Sequence, residues 1–156
     1  MAPERRCKVF LDSNVLLSGL FSDKGAPRII LDLLTIGMPI LVGATGRYNL
    51  IEVERTLKNK MPGVLPFYHH YLLKLGLEIV ALPTLEMVKS LSGVIADKDI
   101  PVLASAIACG AEYLVTGDKK DFGKLKKAQP KYNLMIVSSS EFIEKVFPNL
   151  ITGSDV

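Results

Sequence analysis

The chain has 156 residues, 49% of them hydrophobic and 22% charged, with a formal net charge of +3. That balance excludes a disordered or low-complexity protein and fits a single domain over residues 1–150, followed by a frayed tail at 151–156. The charge is too small to announce nucleic-acid binding by itself, so its distribution matters more than its sum.

In chain order, residues 8–11 form a short apolar run of β-formers that ends at Asp12. Val15, Leu16, Leu17 and Leu20 suggest a helical turn or two, broken by Asp23-Lys24-Gly25. Pro27 suits a helix start, and Ile29, Ile30, Leu33 and Leu34 recur at helical spacing up to a cap at Gly37. Residues 39–42 read as a second strand. Helices are predicted over 48–59 and 65–75, the latter ending at Gly76. A strand at 78–82 and a short helix at 85–91 follow. A helix over 97–108 starts among acids and stops at Cys109-Gly110. Strands at 112–116 and 134–137 and a helix at 139–146 complete the pattern.

Short strands alternating with helices predict an α/β sandwich around a parallel sheet. Such sheets bind ligands beyond the carboxyl ends of their strands, where the strand order reverses. Asp12 ends the first strand and Asp118 follows the fourth. If those strands are central neighbours, the two carboxylates face each other.

Cys7 and Cys109 match no metal-ligand or redox spacing. They read as free thiols in a reducing cytosol, Cys109 as a buried small hydrophobe. The first residues lack a signal-peptide apolar region, and the longest uncharged run, 33–46, is too short to span a bilayer. The expectation is a cytoplasmic protein with no membrane partner.

Each acid has a structural use of its own. Asp12 suits a helix N-cap, with Ser13 and Asn14 fixing the loop around it. Glu52 and Glu54 lie on a helix whose apolar stripe is Leu50, Val53 and Leu57, and periodicity does not choose between them. One of Asp97 and Asp99 is expected to cap the helix that Pro101 begins. Gly117-Asp118 is turn chemistry, and Asp121 suits a short helix start. The group is harder to explain than its members. Carboxylates about 4 Å apart repel by roughly 4 kcal/mol per pair at an effective dielectric near 20. A divalent cation or protonation relieves that repulsion, and oxygen ligands without His or Cys favour Mg²⁺ or Mn²⁺.

Three stretches carry a resemblance: FLDSNVLLSGL, IEVERTL and ADKDIPVLASAIACGAEYLVTGDKKDF. Their sequence of acid, helical Glu, DxD and TGD resembles the PIN-domain nucleases over nearly the whole chain, above all the toxin branch of toxin–antitoxin pairs. The resemblance implies a three-layer α/β/α sandwich with a central, mainly parallel five-stranded sheet. It also implies Mg²⁺- or Mn²⁺-dependent hydrolysis of RNA with one or two ions, and an antitoxin partner. Carried over by position, the catalytic acids are Asp12, Glu52, Asp99 and Asp118. Asp12, Asp99 and Asp118 would hold metal with Asp121 as an accessory, and Glu52 would position water or help remove its proton. Asn14 would brace the site, and Thr116 would orient a carboxylate or a water. Ser13 stands where Thr is common in the family and keeps the hydroxyl.

Lysines 119, 120, 124, 126, 127 and 131 follow the TGD motif. Singly each reads as a solvated side chain; together, with Lys119, Lys120 and Lys124 foremost, they are candidate RNA contacts. Arg47 and Arg55, which flank Glu52, are weaker ones. Phe67, Tyr68, Tyr71 and Leu72 are candidates for a surface that pairs two copies or docks an antitoxin. The adjacent His69 and His70 point to different helix faces and make a poor metal pair.

Two other α/β chemistries fit less well. A haloacid-dehalogenase phosphatase needs DxD at the first strand, where Asn14 stands in third place. A receiver module wants an acidic pair near that strand. The non-enzymatic alternative is a PIN-like module that binds RNA or protein without cutting; its usual mark is a lost acid, and none of the four is lost.

Overall fold

The computed structural model describes residues 5–118, 122, 125 and 132–153. Asp121 and the six lysines after the TGD motif lie outside the described residues.

Five strands pair in parallel throughout: β1 (Cys7–Leu11), β2 (Leu41–Gly46), β3 (Glu78–Val80), β4 (Tyr113–Val115) and β5 (Met135–Val137). Their order across the sheet is β3-β2-β1-β4-β5, so direction of travel reverses between β1 and β4. Phe10 pairs with Ala44 on one side and Leu114 on the other. β1 is therefore central, and apart from Lys8 near its start its sequence CKVFL is apolar on both faces, as a doubly covered strand requires.

Alternation along β1 sorts the core into two halves. Cys7, Val9 and Leu11 pack on the face that also receives Leu16, Leu31 and Val53. Those three come from α1 (Ser13–Phe21), α2 (Ala26–Ile36) and α3 (Arg47–Lys60). α4 (Leu65–Leu75) joins this layer through Tyr68 and Leu75. Phe10, Leu114 and Ile136 face the opposite layer, built on α6 (Ile100–Ala108) and lined by Leu103 and Ala106. A short α5 (Leu85–Ser90) packs beside α6. The last described helix, α7, spans residues 139–152. The result is the three-layer α/β/α sandwich implied by the resemblance. Among the described residues, no helix is long and apolar enough to cross a membrane.

Several boundaries differ from the sequence reading, each for a local reason. The second strand is Leu41–Gly46, later than 39–42, because Pro39 and Ile40 belong to the turn that feeds it. Inside that strand, a Cβ on Gly43 would lie 2.7 Å from Leu77 and 2.9 Å from Leu34. Close helix packing thus favours glycine inside the strand. The third strand stops at Val80, two residues before its predicted end. The helix predicted from 97 begins as a 3₁₀ turn, Asp97–Asp99, and becomes α-helical at Ile100. α7 runs through Thr152, so Ile151 and Thr152 of the predicted frayed tail are helical. Its middle, Phe142–Val146, is a π-helical turn, and Phe147 N–H reaches back to the Phe142 carbonyl. That wider turn makes room ahead of Pro148, which would clash with the preceding turn of a regular helix.

Both thiols are free, as expected, but Cys109 is only half-buried, whereas Cys7 is fully buried. Tyr68 also differs. It is 3% exposed and belongs to the core, so it cannot form part of a docking surface, although Phe67 beside it is exposed. Burial pushes the Tyr68 phenol up to about 12, the charge of Glu54 adding to the effect. Its hydroxyl has no hydrogen-bond partner among the described residues.

An unsatisfied buried hydroxyl costs stability, whereas its ring contributes packing. Tyr68→Phe is therefore expected to melt at or above the wild-type temperature. Tyr68→Ala should lose on the order of 3–5 kcal/mol. Urea titration of the two variants checks both; a clear loss in Tyr68→Phe would mean that the hydroxyl is satisfied in solution.

Candidate active site

Asp12 stands where β1 gives way to α1. Its N–H still donates to the Val115 carbonyl at 3.0 Å, so the ladder between the two central strands runs up to this carboxylate. Asp12 is also the N-cap of α1, with Oδ1 accepting from Ser13 N–H at 2.7 Å. The same oxygen accepts from the Asn49 amide at 3.1 Å, and Oδ2 accepts from the Thr116 hydroxyl at 2.8 Å. Capping accounts for one of these three bonds. The other two fix the carboxylate from β2's following helix and from the end of β4.

Asp12 as a residue is only 7% exposed. Burial pushes its pKa up; the Thr116 and Ser13 hydrogen bonds oppose that rise, and the charges of Glu52 and Asp118 add to it. All its bonding partners are neutral donors, which orient the charge without cancelling it.

Glu52 reaches the same place from α3. Its Oε1 accepts from the Ser13 hydroxyl at 3.1 Å, and that hydroxyl accepts from the Asn49 amide at 2.9 Å. Glu54 points elsewhere, to His69 of α4 at 3.3 Å. Two residues on a helix point roughly 200° apart, so only one of these glutamates can face the cleft. Asp99 ends the 3₁₀ turn before α6 and is 8% exposed, while Asp97 is exposed. Asp99 occupies the cap position of α6, yet neither acid makes a side-chain capping bond there. Asp118 lies three residues past the end of β4: its N–H donates to Thr116 Oγ1 at 3.1 Å, and Gly117 N–H donates to Asn14 Oδ1 at 2.9 Å.

Asp12, Glu52, Asp99 and Asp118 thus come from separate segments to the wall of one open cleft of about 310 Å³, shared with Tyr48 and Lys98. It lies at the carboxyl end of the sheet, at the switch between β1 and β4. Four carboxylates are hard oxygen donors of the kind Mg²⁺ and Mn²⁺ prefer. Among the described residues, no three of them converge into a tight metal-holding cluster. The donor chemistry fits such an ion, with side-chain adjustment on binding.

Asn49 was not a sequence candidate. It is fully buried and ties Asp12 to Ser13. Its signal was available: Asn49, Val53 and Leu57 share one helical row, and an amide on a buried row asks for partners.

The chain matches the PIN domain family over residues 8–120. It belongs to the PIN-domain family. No curated protein matches it. Among solved structures it is similar to VapBC2 from Rickettsia felis, crystallised bound to a DNA fragment from their promoter, at 21% identity and a TM-score of 0.56. The likeness covers 84% of this chain and 98% of that one, and at such identity it speaks for the fold. The family match takes in Asp12, Glu52, Asp99 and Asp118, so the PIN domain contains the entire described cleft.

The electrostatics of Asp12 set a pH dependence. A carboxyl whose folded pKa is raised binds its proton more tightly in the folded state, so its ionisation costs stability as pH rises through that value. The cost is fully present above the folded pKa and absent below the unfolded one, about 3.9. Asp12→Asn in chelator is therefore expected to melt higher than wild type at pH 7. The two should converge toward pH 4. Calorimetric melting across that range checks it, and a lower melting temperature for Asp12→Asn at pH 7 would mean that the hydrogen bonds outweigh burial.

Proposed function

We propose that this PIN domain is a metal-dependent endoribonuclease that hydrolyses RNA phosphodiester bonds, the toxin of a toxin–antitoxin pair. The observation that carries the reading is the meeting of Asp12, Glu52, Asp99 and Asp118 in one cleft at the sheet's switch point. Membership of the PIN-domain family supports nuclease chemistry. The likeness to VapBC2 supports an antitoxin partner, and free thiols accord with a reducing cytoplasm.

Asp12, Asp99 and Asp118 would hold Mg²⁺ or Mn²⁺, with Asp121 as an accessory acid. Bound there, a divalent cation neutralises charge developing on the phosphate and lowers the pKa of water. The chain's own residues prepare that chemistry. Thr116 and Asn49 hold Asp12 in one orientation from opposite sides. Asn14 ties the Gly117 backbone to α1 and so fixes the loop that carries Asp118. Glu52 is half-buried, with one oxygen engaged by Ser13, and its carboxylate serves as the proton acceptor at the cleft wall. Lys119, Lys120 and Lys124 follow Asp118 in sequence and supply cations for phosphate docking.

Calorimetric titration with Mn²⁺ tests the metal site without needing the right RNA. Wild type is expected to bind, and Asp118→Asn to bind at least about 100-fold more weakly with an unchanged circular dichroism spectrum. Mg²⁺-dependent cleavage of single-stranded RNA should fall in parallel. Equal Mn²⁺ binding by the two proteins would remove Asp118 from the site, and no binding by wild type at millimolar Mn²⁺ would favour the non-catalytic binding module.

A further inference from the structure

α3 walls a second hollow outside the acidic cleft. It has a volume of about 250 Å³ and is lined by Ile51, Glu54, Arg55, Lys58 and Asn59. Helical spacing explains why one helix borders both. At about 100° per residue, Tyr48, Glu52, Thr56 and Asn59 share a flank, and Arg55 stands at the edge of that flank. Tyr48, Glu52 and Thr56 line the acidic cleft; Asn59 and Arg55 line the outer hollow. The two spaces also share an electrostatic neighbourhood. Burial pushes the Tyr48 phenol up, the charges of Glu52 and Asp99 add to the rise, and Arg55 opposes it.

The outer hollow carries two cations, Arg55 and Lys58, where the cleft sets Lys98 against four carboxylates. Arg55 and Lys58 are exposed and form no ion pair or side-chain hydrogen bond among the described residues. Glu54, the acid of that hollow, is engaged by His69. The helix dipole favours Lys58 and Lys60 in the last turn of α3. It does not call for Arg55, which stands before that turn. A polyanion is repelled by a wall of carboxylates, so its affinity must come from cations beside the acids.

We propose that single-stranded RNA with its scissile phosphate in the acidic cleft continues along α3, where Arg55 and Lys58 receive the phosphates next to the cut. The inference rests on the ribonuclease reading and adds to it a track for the substrate on one side of the site. Arg55 presents a planar fork suited to a phosphate, and Lys58, one turn on, presents a point charge. Neither touches the reacting atoms. Both are positioning residues, and their removal acts on binding rather than on the chemical step.

The test measures binding of a fluorescein-labelled single-stranded RNA by anisotropy, in EDTA to prevent cleavage, over a range of salt concentrations. Wild type, Arg55→Gln, Lys58→Gln, the double variant and a control, Lys74→Gln on α4, are compared. The double variant is expected to bind several-fold more weakly, with its log–log salt slope reduced by about 0.7 for each contact removed. Lys74→Gln should match wild type. In Mg²⁺, KM should rise in the double variant while kcat holds. If wild type binds and the double variant keeps the same affinity and slope, the track is overturned and the ribonuclease reading stands. An equal loss in Lys74→Gln would reduce the effect to general surface charge and also overturn it. If wild type binds no RNA, both readings fall together.

Discussion

The parallel pairing of β1 with β4 is the constraint on which the site depends. These strands are neighbours in space but far apart in sequence, and the Asp12 N–H bond to Val115 is the last rung of their ladder. One residue beyond the paired Leu11 and Val115 stand Asp12 and Thr116, joined through their side chains at 2.8 Å. Because the strand order reverses here, the crossovers leave in opposite directions and keep the edge of the sheet open. α3 and α6 can then bring Glu52 and Asp99 to the same opening from different layers. Displacing β4 by one register would carry Thr116 and Asp118 away together and leave Asp12 with its cap alone.

Within that frame the carboxylates are oriented by neutral groups. An arginine or lysine paired to Asp12 would satisfy its charge and compete with a cation. A backbone N–H, an amide and a hydroxyl instead hold both oxygens while leaving the negative charge in place. The cost is the raised pKa that burial and the neighbouring acids impose. A fold that spends stability on a charged, poorly compensated group gives it a use the folded state alone does not supply.

Much of the layout was legible in the sequence because it rests on local patterns. Apolar runs stop at Asp12 and just before Thr116, and strand-then-helix alternation implies a parallel sheet with the acids at its carboxyl edge. What escaped depended on tertiary contact. β2 extends past Val42 to Gly46, and the close approach of Leu34 and Leu77 that favours glycine at position 43 is a tertiary contact. In the sequence Tyr68 looks like Phe67 and Tyr71 beside it, and only the packing of α4 on the core separates buried from exposed. The α-to-π change in α7 could not be read from a pattern that ends naturally before Pro148.

Glu52 and Glu54 show where the boundary of legibility lay. The apolar stripe of Leu50, Val53 and Leu57 left both glutamates beside it, on opposite flanks. Including Asn49 does not break the tie by angle alone, since it lies on the same row as Val53 and Leu57. It breaks the tie by chemistry, because a buried amide needs polar partners and these are most available near the polar end of β1. Asn49 finds Asp12 and Ser13 there. Its neighbour across the first turn of α3, Glu52, then meets the Ser13 hydroxyl, whereas Glu54 is carried round to α4. The core row of α3 thus sets the rotation of the whole helix, and that rotation decides which carboxylate enters the cleft and which cations remain outside it.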